Sequence, residues 1–301
     1  MSKEMKIRQL SLSLLVLLAL AAPAAARAPV VGIGDQHPYM FSDPDFLRLG
    51  VTHSRLLLSW DWYRDPATVA QTDQWIAAAR TAGVRPLIAF NRSWHPSGHR
   101  KLPSLTLYKK SFRLLRARYP HVRDFSAWNE ANHSSQPTAR KPRAAARYFN
   151  AMRRGCPRCT IVAADVLDSR NMLGWIKTFK RFAPKARIWG VHNYKDANDV
   201  TNTTKTILKA VRGQVWLTET GGILRLKPHP GSRGDGRRST RPKQARAVKR
   251  VFKIARSSRR ITRIYFYEWQ AQPTNRWDSA FLNADGTLRP AYHALKRGLR
   301  R

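Results

Sequence analysis

Glutamate is almost missing from this chain: 301 residues hold four, Glu4, Glu130, Glu219 and Glu268. It is ordinarily among the commonest residues. Three that persist beyond the N-terminal segment, each closing an apolar run as Trp-Asn-Glu, Thr-Glu-Thr or Tyr-Glu-Trp, are poor candidates for surface solubilisers. Cysteine is as scarce, and two residues, Cys156 and Cys159, exclude a four-cysteine zinc site. The histidines His95, His99, His121, His192 and His229 lack tight ligand spacing, so neither a metal nor a cofactor is expected. Acidic charge is short too, with 18 Asp and Glu against 56 Lys and Arg and a net charge of +38. Such a surplus attracts polyanions at low salt. Yet Arg and Lys are spread along the whole chain, as they are on the solvated faces of any basic protein, and the charge by itself names no function. No nucleic-acid module or RNA-type aromatic motif is visible, so specific nucleic-acid binding is not expected.

Long apolar runs are also lacking. Ser11 to Ala22 is followed by Ala24-Ala25-Ala26 and preceded by Lys3, Lys6 and Arg8, the three parts of an export signal. The run is short for a membrane span, and no other stretch approaches the roughly 18 apolar residues one needs. Residues 1–26 are therefore expected to be a signal peptide, and 27–301 a single exported domain without a membrane span. That chain keeps a charge of about +36. It is expected outside the cell or in the envelope of a bacterium, as a monomer. In that compartment Cys156-Pro-Arg-Cys159 reads as a short structural disulfide rather than a redox dithiol.

What is present is a regular alternation. Apolar runs rich in β-branched and aromatic residues lie at Val30 to Ile33, Val51 to Trp60, Arg85 to Asn91, Asp124 to Glu130, Thr160 to Val166, Arg187 to Tyr194, Gln214 to Glu219 and Arg263 to Trp269. Helical patterns separate them at Asp65 to Ala82, Leu105 to Tyr119, Thr138 to Arg154, Ser169 to Phe182, Asp199 to Val211 and Arg241 to Arg256. A short crossover near Ser42 to Leu49 and a last stretch from Pro290 to Arg300 complete the series. Eight strands alternating with eight helical segments over this length predict a (β/α)8 TIM barrel. A doubly wound open sheet is the competing fold, but Gly32-Ile33-Gly34-Asp35 lacks the third glycine of its phosphate turn.

In a barrel the chemistry sits at the C-terminal strand ends, which is where Glu130, Glu219 and Glu268 fall, on strands four, seven and eight. Two carboxyl groups facing each other across a cleft can break a glycosidic bond, one donating a proton to the leaving oxygen and the other attacking the anomeric carbon or activating water. Glu130 and Glu219 are the natural pair. Ser126-Ala127-Trp128-Asn129-Glu130-Ala131-Asn132 resembles the Trp-Asn-Glu-Pro-Asn strand-four signature of clan A glycoside hydrolases, with Ala131 in place of the usual proline. Val215 to Gly221 resembles their strand-seven nucleophile segment, Arg55 to Trp60 their strand-two segment, and His192-Asn193-Tyr194 their strand-six segment. The resemblance spans nearly all of 27–301, and families 5, 39 and 128 are all candidates.

The resemblance implies a secreted retaining glycoside hydrolase that cleaves a β-linked polysaccharide or oligosaccharide by double displacement. Glu130 would be the acid/base and Glu219 the nucleophile, with Arg55 supporting it and His192 or Tyr194 holding it. Asn129 would bind the sugar 2-hydroxyl, and Trp269 would offer a stacking face. Alternation along strand eight allows only one of Glu268 and Trp269 to face the interior, making Glu268 the lesser candidate for contact. Trp60, Trp62, Tyr63, Trp94 and Trp277 are further aromatic candidates, Trp62 and Trp94 the better sugar platforms because they lie in loops. The segment Leu224 to Pro242, basic and rich in Gly and Pro, reads as a mobile flap that either recognises an acidic or envelope-associated carbohydrate or is an idle solvated loop. The competing function is a catalytically inactive barrel that binds envelope glycan or another polyanion.

Overall fold

The computed structural model describes residues 28–199, 201–228 and 236–300; the expected signal peptide, residues 1–26, lies outside them. Strands β1 (Val30–Gly34), β2 (His53–Ser59), β3 (Arg85–Asn91), β4 (Asp124–Ser126), β5 (Thr160–Val162), β6 (Asp165–Leu167), β7 (Ile188–His192) and β8 (Gln214–Thr220) run parallel. A later strand, β11 (Ile261–Tyr267), pairs with both β8 and β1. The order β5-β4-β3-β2-β1-β11-β8-β7-β6 begins and ends on neighbouring segments of one stretch. Ala163 N–H donates to Ile188 O (2.8 Å) and Gly190 N–H to Ala164 O (3.1 Å), so 160–167 is a single fifth strand with a kink. The sheet therefore closes on itself, and the eight-stranded barrel is as expected.

Helices cover the barrel: α1 (Pro44–Leu47), α2 (Pro66–Thr81), α3 (Leu105–Arg118), α4 (Pro142–Gly155), α5 (Met172–Phe182), α6 (Tyr194–Asp199), α7 (Thr203–Ala210), α8 (Arg241–Arg256) and α9 (Pro290–Leu299), all where the patterns put them except α6, which begins at the Tyr194 expected to end strand six. Their starts follow from local chemistry. Pro sits in the first turn of α2, α4, α8 and α9, where no backbone N–H is needed. Asp65, Ser104 and Thr240 accept first-turn N–H groups of α2, α3 and α8. The main core lies between helices and barrel, and Leu87, Val162, Trp216 and Tyr265 form a separate cluster. Cys156 and Cys159 are joined by a disulfide where α4 turns into β5.

Two expectations change. Strand four is regular only to Ser126, because 127–131 leave the ladder and are clamped instead to both neighbours: Asn129 N–H donates to Phe90 O (2.6 Å), Asp165 N–H to Trp128 O (2.9 Å) and Ala131 N–H to Asp165 O (2.8 Å). The basic segment after Glu219 is not simply a flap. Its described ends form β9 (Arg225–Leu226) and β10 (Arg237–Arg238), which join β12 (Trp277–Asp278) in a small antiparallel sheet, and Arg237 pairs with Asp199. Residues 229–235 of that segment lie outside the description.

Candidate active site

Arg55 organises the C-terminal mouth of the barrel. It projects from β2 and is 3% exposed. Its Nη1 donates to Glu219 Oε2 (2.9 Å), and Nη2 donates to Asn129 Oδ1 (2.7 Å) and Asp165 Oδ2 (2.8 Å). Burial works against the guanidinium charge, but Asp165 and Glu219 outweigh it and raise the Arg55 pKa. One arginine thus fixes side chains from strands four, five and seven. Removing a partner from such a buried ionic cluster typically costs about 3–5 kcal/mol, since the remaining charge is left unpaired.

Glu219 sits near the end of β8 with both oxygens bonded. Tyr194 donates its hydroxyl to Oε1 (3.1 Å), while Arg55 holds Oε2. Burial and the Glu219 charge push the Tyr194 pKa well above its usual value, so it stays a donor. Tyr194 comes from the first turn of α6, just past the strand.

Glu130 is presented by a turn in which its own φ is 44°, and His133 N–H donates back to Glu130 O (2.7 Å). For a residue with a side chain that conformation costs on the order of 1–3 kcal/mol and concentrates at working sites. Trp128 anchors the turn, stacked on Tyr108 and Tyr148 in the core and donating its indole N–H to Gln136. His192 Nδ1 lies 3.3 Å from Glu130 Oε1 and 3.8 Å from Glu219 Oε2. Burial raises the Glu130 pKa, yet the bond to His192 and the charges of His192, His133 and Arg55 more than cancel it, leaving the carboxyl below its ordinary range. Burial lowers His192, and Glu219 and Glu130 more than restore it. The imidazole between the two glutamates is thus favoured as the cation.

Through that shared nitrogen, Glu130 Oε1 and Glu219 Oε2 are at most about 7 Å apart, a bound that admits the short spacing of double displacement as well as the lower end of the wider span that accommodates an intervening water.

The other expected residues divide. Asn129 is brought in as expected: Arg55 occupies its Oδ1, leaving the amide N–H groups as donors. Trp269 is not a sugar platform. It is 0% exposed, its ring packs on Phe46, Phe281 and Tyr292, and its backbone and indole N–H groups donate to Asp35 and Asp43. β11 ends at Tyr267, so strand alternation does not extend to residues 268 and 269. Glu268, 3% exposed, is the one near the site's charges: burial and Asp35, Asp278 and Glu219, only partly offset by Arg289, push its pKa to about 9. Trp62 is likewise core, against Tyr63 and Tyr119, and Trp60 is mostly buried; Trp94 is 39% exposed.

Two residues escaped the sequence. Asp165 is the second carboxylate on Arg55, and its one signal was a lone acid within Ala163-Ala164-Asp165-Val166. Tyr267, at the end of β11, feels Glu268 and Glu219. Trp277, one of the aromatics expected after strand eight, packs edge-on against Tyr194 (4.6 Å between ring centroids) and stays half-buried, the better placed of the strand-eight tryptophans to meet a sugar. Among the described residues no group of His, Cys, Asp and Glu could hold a metal ion, and no helix is long and apolar enough to cross a membrane.

A family model described as a glycosyl hydrolase catalytic core matches residues 114–294. No curated protein matches the chain by sequence. Among solved structures, the chain is similar to a family 39 glycoside hydrolase from the gut symbiont Bacteroides cellulosilyticus WH2, at 16% identity and a TM-score of 0.61, covering 91% of this chain and 64% of that one. It is similar to native xylanase 10B from Thermotoga maritima, at 14% identity and a TM-score of 0.63, covering 90% and 95%. A GH5_18 protein from Streptomyces cattleya in complex with Manb1-4GlcNAc has 16% identity and a TM-score of 0.64, with 91% and 81% covered. At these identities the likeness is one of fold, the (β/α)8 barrel.

Proposed function

The chain belongs to the glycosyl hydrolase catalytic core family, and on that premise we propose that it cleaves β-linked polysaccharide or oligosaccharide with retention of configuration, Glu219 as nucleophile and Glu130 as acid and then base. The observation that carries this reading is the unequal support of two neighbouring carboxyl groups. Glu219 accepts from a guanidinium and a phenol, which fix its orientation, whereas Glu130 is shared with a histidine that can exchange its proton. A carboxylate oxygen of Glu219 attacks the anomeric carbon as the glycosidic C–O bond breaks, and Glu130 delivers its proton to the departing oxygen. Glu130, now ionised, takes a proton from water, the water oxygen bonds to the anomeric carbon, and the ester to Glu219 breaks.

Glu130 starts below its ordinary pKa, so the proton for the first step comes from the His192–Glu130 pair. A sugar that excludes water from the pair favours the neutral arrangement, with the proton on Glu130. Once Glu219 is esterified its charge is gone, and with it the largest pull holding a proton on His192. The β linkage follows the Manb1-4GlcNAc carried by the Streptomyces cattleya protein. We propose export as well, supported by the N-terminal Leu- and Ala-rich run and by a disulfide that suits an oxidising compartment.

The test is turnover on a panel of β-linked polysaccharides by wild type, Glu130→Gln and Glu219→Gln, with added azide. Each variant should lose about a hundredfold to ten-thousandfold in kcat, the scale of losing an acid/base. On an aryl β-glycoside whose leaving group departs without protonation, azide should restore Glu130→Gln with a β-glycosyl azide product and Glu219→Gln with the α-anomer. A wild type that cleaves nothing, or a variant near the wild-type rate, refutes the assignment.

A further inference from the structure

The loops after β2 and β3 enclose a cleft of about 800 Å³ whose lining includes Ser59, Trp60, Asp61, Trp62, Ser93 and Trp94. It opens at the same barrel end as the glutamates. β3 lies between β2 and β4, and neighbouring strands are about 4.8 Å apart, which puts the cleft roughly 10 Å along the rim from Glu130. Its outer loop is tied to the loop that carries Glu130, because Arg92 Nη1 donates to Ser135 O (2.7 Å).

The cleft is built rather than incidental. Asp61 accepts the hydroxyls of Ser59 and Ser93, the latter at 2.7 Å, and Trp94 N–H donates to Ser59 Oγ (3.3 Å). A Cβ on Gly98 would fall 2.5 Å from Ser93 Oγ, so only glycine lets the loop close on that serine without a shift. Charge separates this cleft from most of the molecule. In a chain of +38 its lining holds two basic residues, Arg64 and Lys101, and two acidic ones, Asp61 and Asp65, a balance that suits an uncharged ligand. Trp94, 39% exposed at the rim, offers an apolar face with a polar surround, the arrangement that stacks a sugar ring.

We propose that this cleft is a distal subsite for an uncharged sugar residue of the same glycan, stacked on Trp94, so that the protein acts within chains long enough to reach from the glutamates to the β2 and β3 loops. This rests on the hydrolase reading and adds the substrate's neutrality and length. Binding and turnover separate the two. Glu219→Gln, with and without Trp94→Ala or Trp94→Phe, is titrated calorimetrically with neutral gluco-, xylo- and manno-oligosaccharides of increasing length and with an oligouronide series. Wild type and Trp94→Ala are then assayed on the same chains. Affinity and kcat/KM should climb about tenfold once the chain reaches the cleft, the size of one aromatic contact. Trp94→Ala should erase the climb through KM, and Trp94→Phe should retain part of it. Affinity that does not depend on length, preference for the oligouronides, binding of no neutral series, or equal losses on short and long chains from Trp94→Ala overturns the subsite. Length-dependent binding without cleavage by wild type overturns the hydrolase reading and leaves the subsite standing.

Discussion

Burial beside Asp35 and Asp278 separates Glu268 from the other two glutamates, since its pKa of about 9 keeps it protonated in the folded chain while an ordinary glutamate ionises near 4.5. Between those values the native state holds a proton that the unfolded state has lost, so Glu268 makes stability fall as pH rises from about 4.5 to about 9. Glu268→Gln should therefore melt like wild type near pH 4 and increasingly above it toward pH 9, by thermal melts across that range; a constant difference would contradict the buried neutral acid. The tryptophans separate by burial. Trp269→Ala should lower stability by about 3–5 kcal/mol, the range for emptying an aromatic core site, as measured by denaturant unfolding. Trp277→Ala should act mainly on KM, and if it destabilises as strongly as Trp269→Ala, Trp277 is core as well. Glu130, Glu219, Asn129 and Tyr194 were legible because each stands at or just past a strand end, and Arg55, inside β2, because of the segment that carries it. Asp165 was not, because its meaning depends on Arg55, 110 positions earlier in the chain.

At the level of the strand, the fifth one shows how backbone shape places a catalytic cluster. Gly190 on β7 lies against the kink, and a Cβ there would meet Asp165 Oδ1 at 1.9 Å and Thr218 Oγ1 at 2.7 Å. The missing side chain is the space that Asp165 occupies beside Arg55. Gly190→Ala should displace Asp165, loosen Arg55 and through it Glu219, and lower kcat far more than KM; kinetics near wild type would show that the cluster holds without Asp165. Most helix boundaries could be read to within a few residues because Pro, Ser, Thr and Asp mark their starts. The end of strand four could not, because 127–131 are held by hydrogen bonds to Phe90 and Asp165, which no local pattern records.

Across the whole molecule, a charge of +38 makes the compact state repel itself. Raising salt from about 10 mM to about 150 mM shortens the screening length from about 30 Å to about 8 Å, so the melting temperature should rise over that range. A fall would mean that attractive ion pairs, such as Arg289 with Asp278, outweigh the repulsion. By itself the sequence determined the barrel, the strands and helices that build it, and the two glutamates at its mouth, since hydrophobic periodicity, helix-start residues and strand-end placement are all local in the chain. Tertiary structure alone decided which neighbours each of those residues meets. It buried Trp269, left Glu268 neutral, joined Asp165 to Arg55 and gathered Trp94 with Asp61 in a cleft, because burial and electrostatics depend on distances between strands that the linear order does not contain.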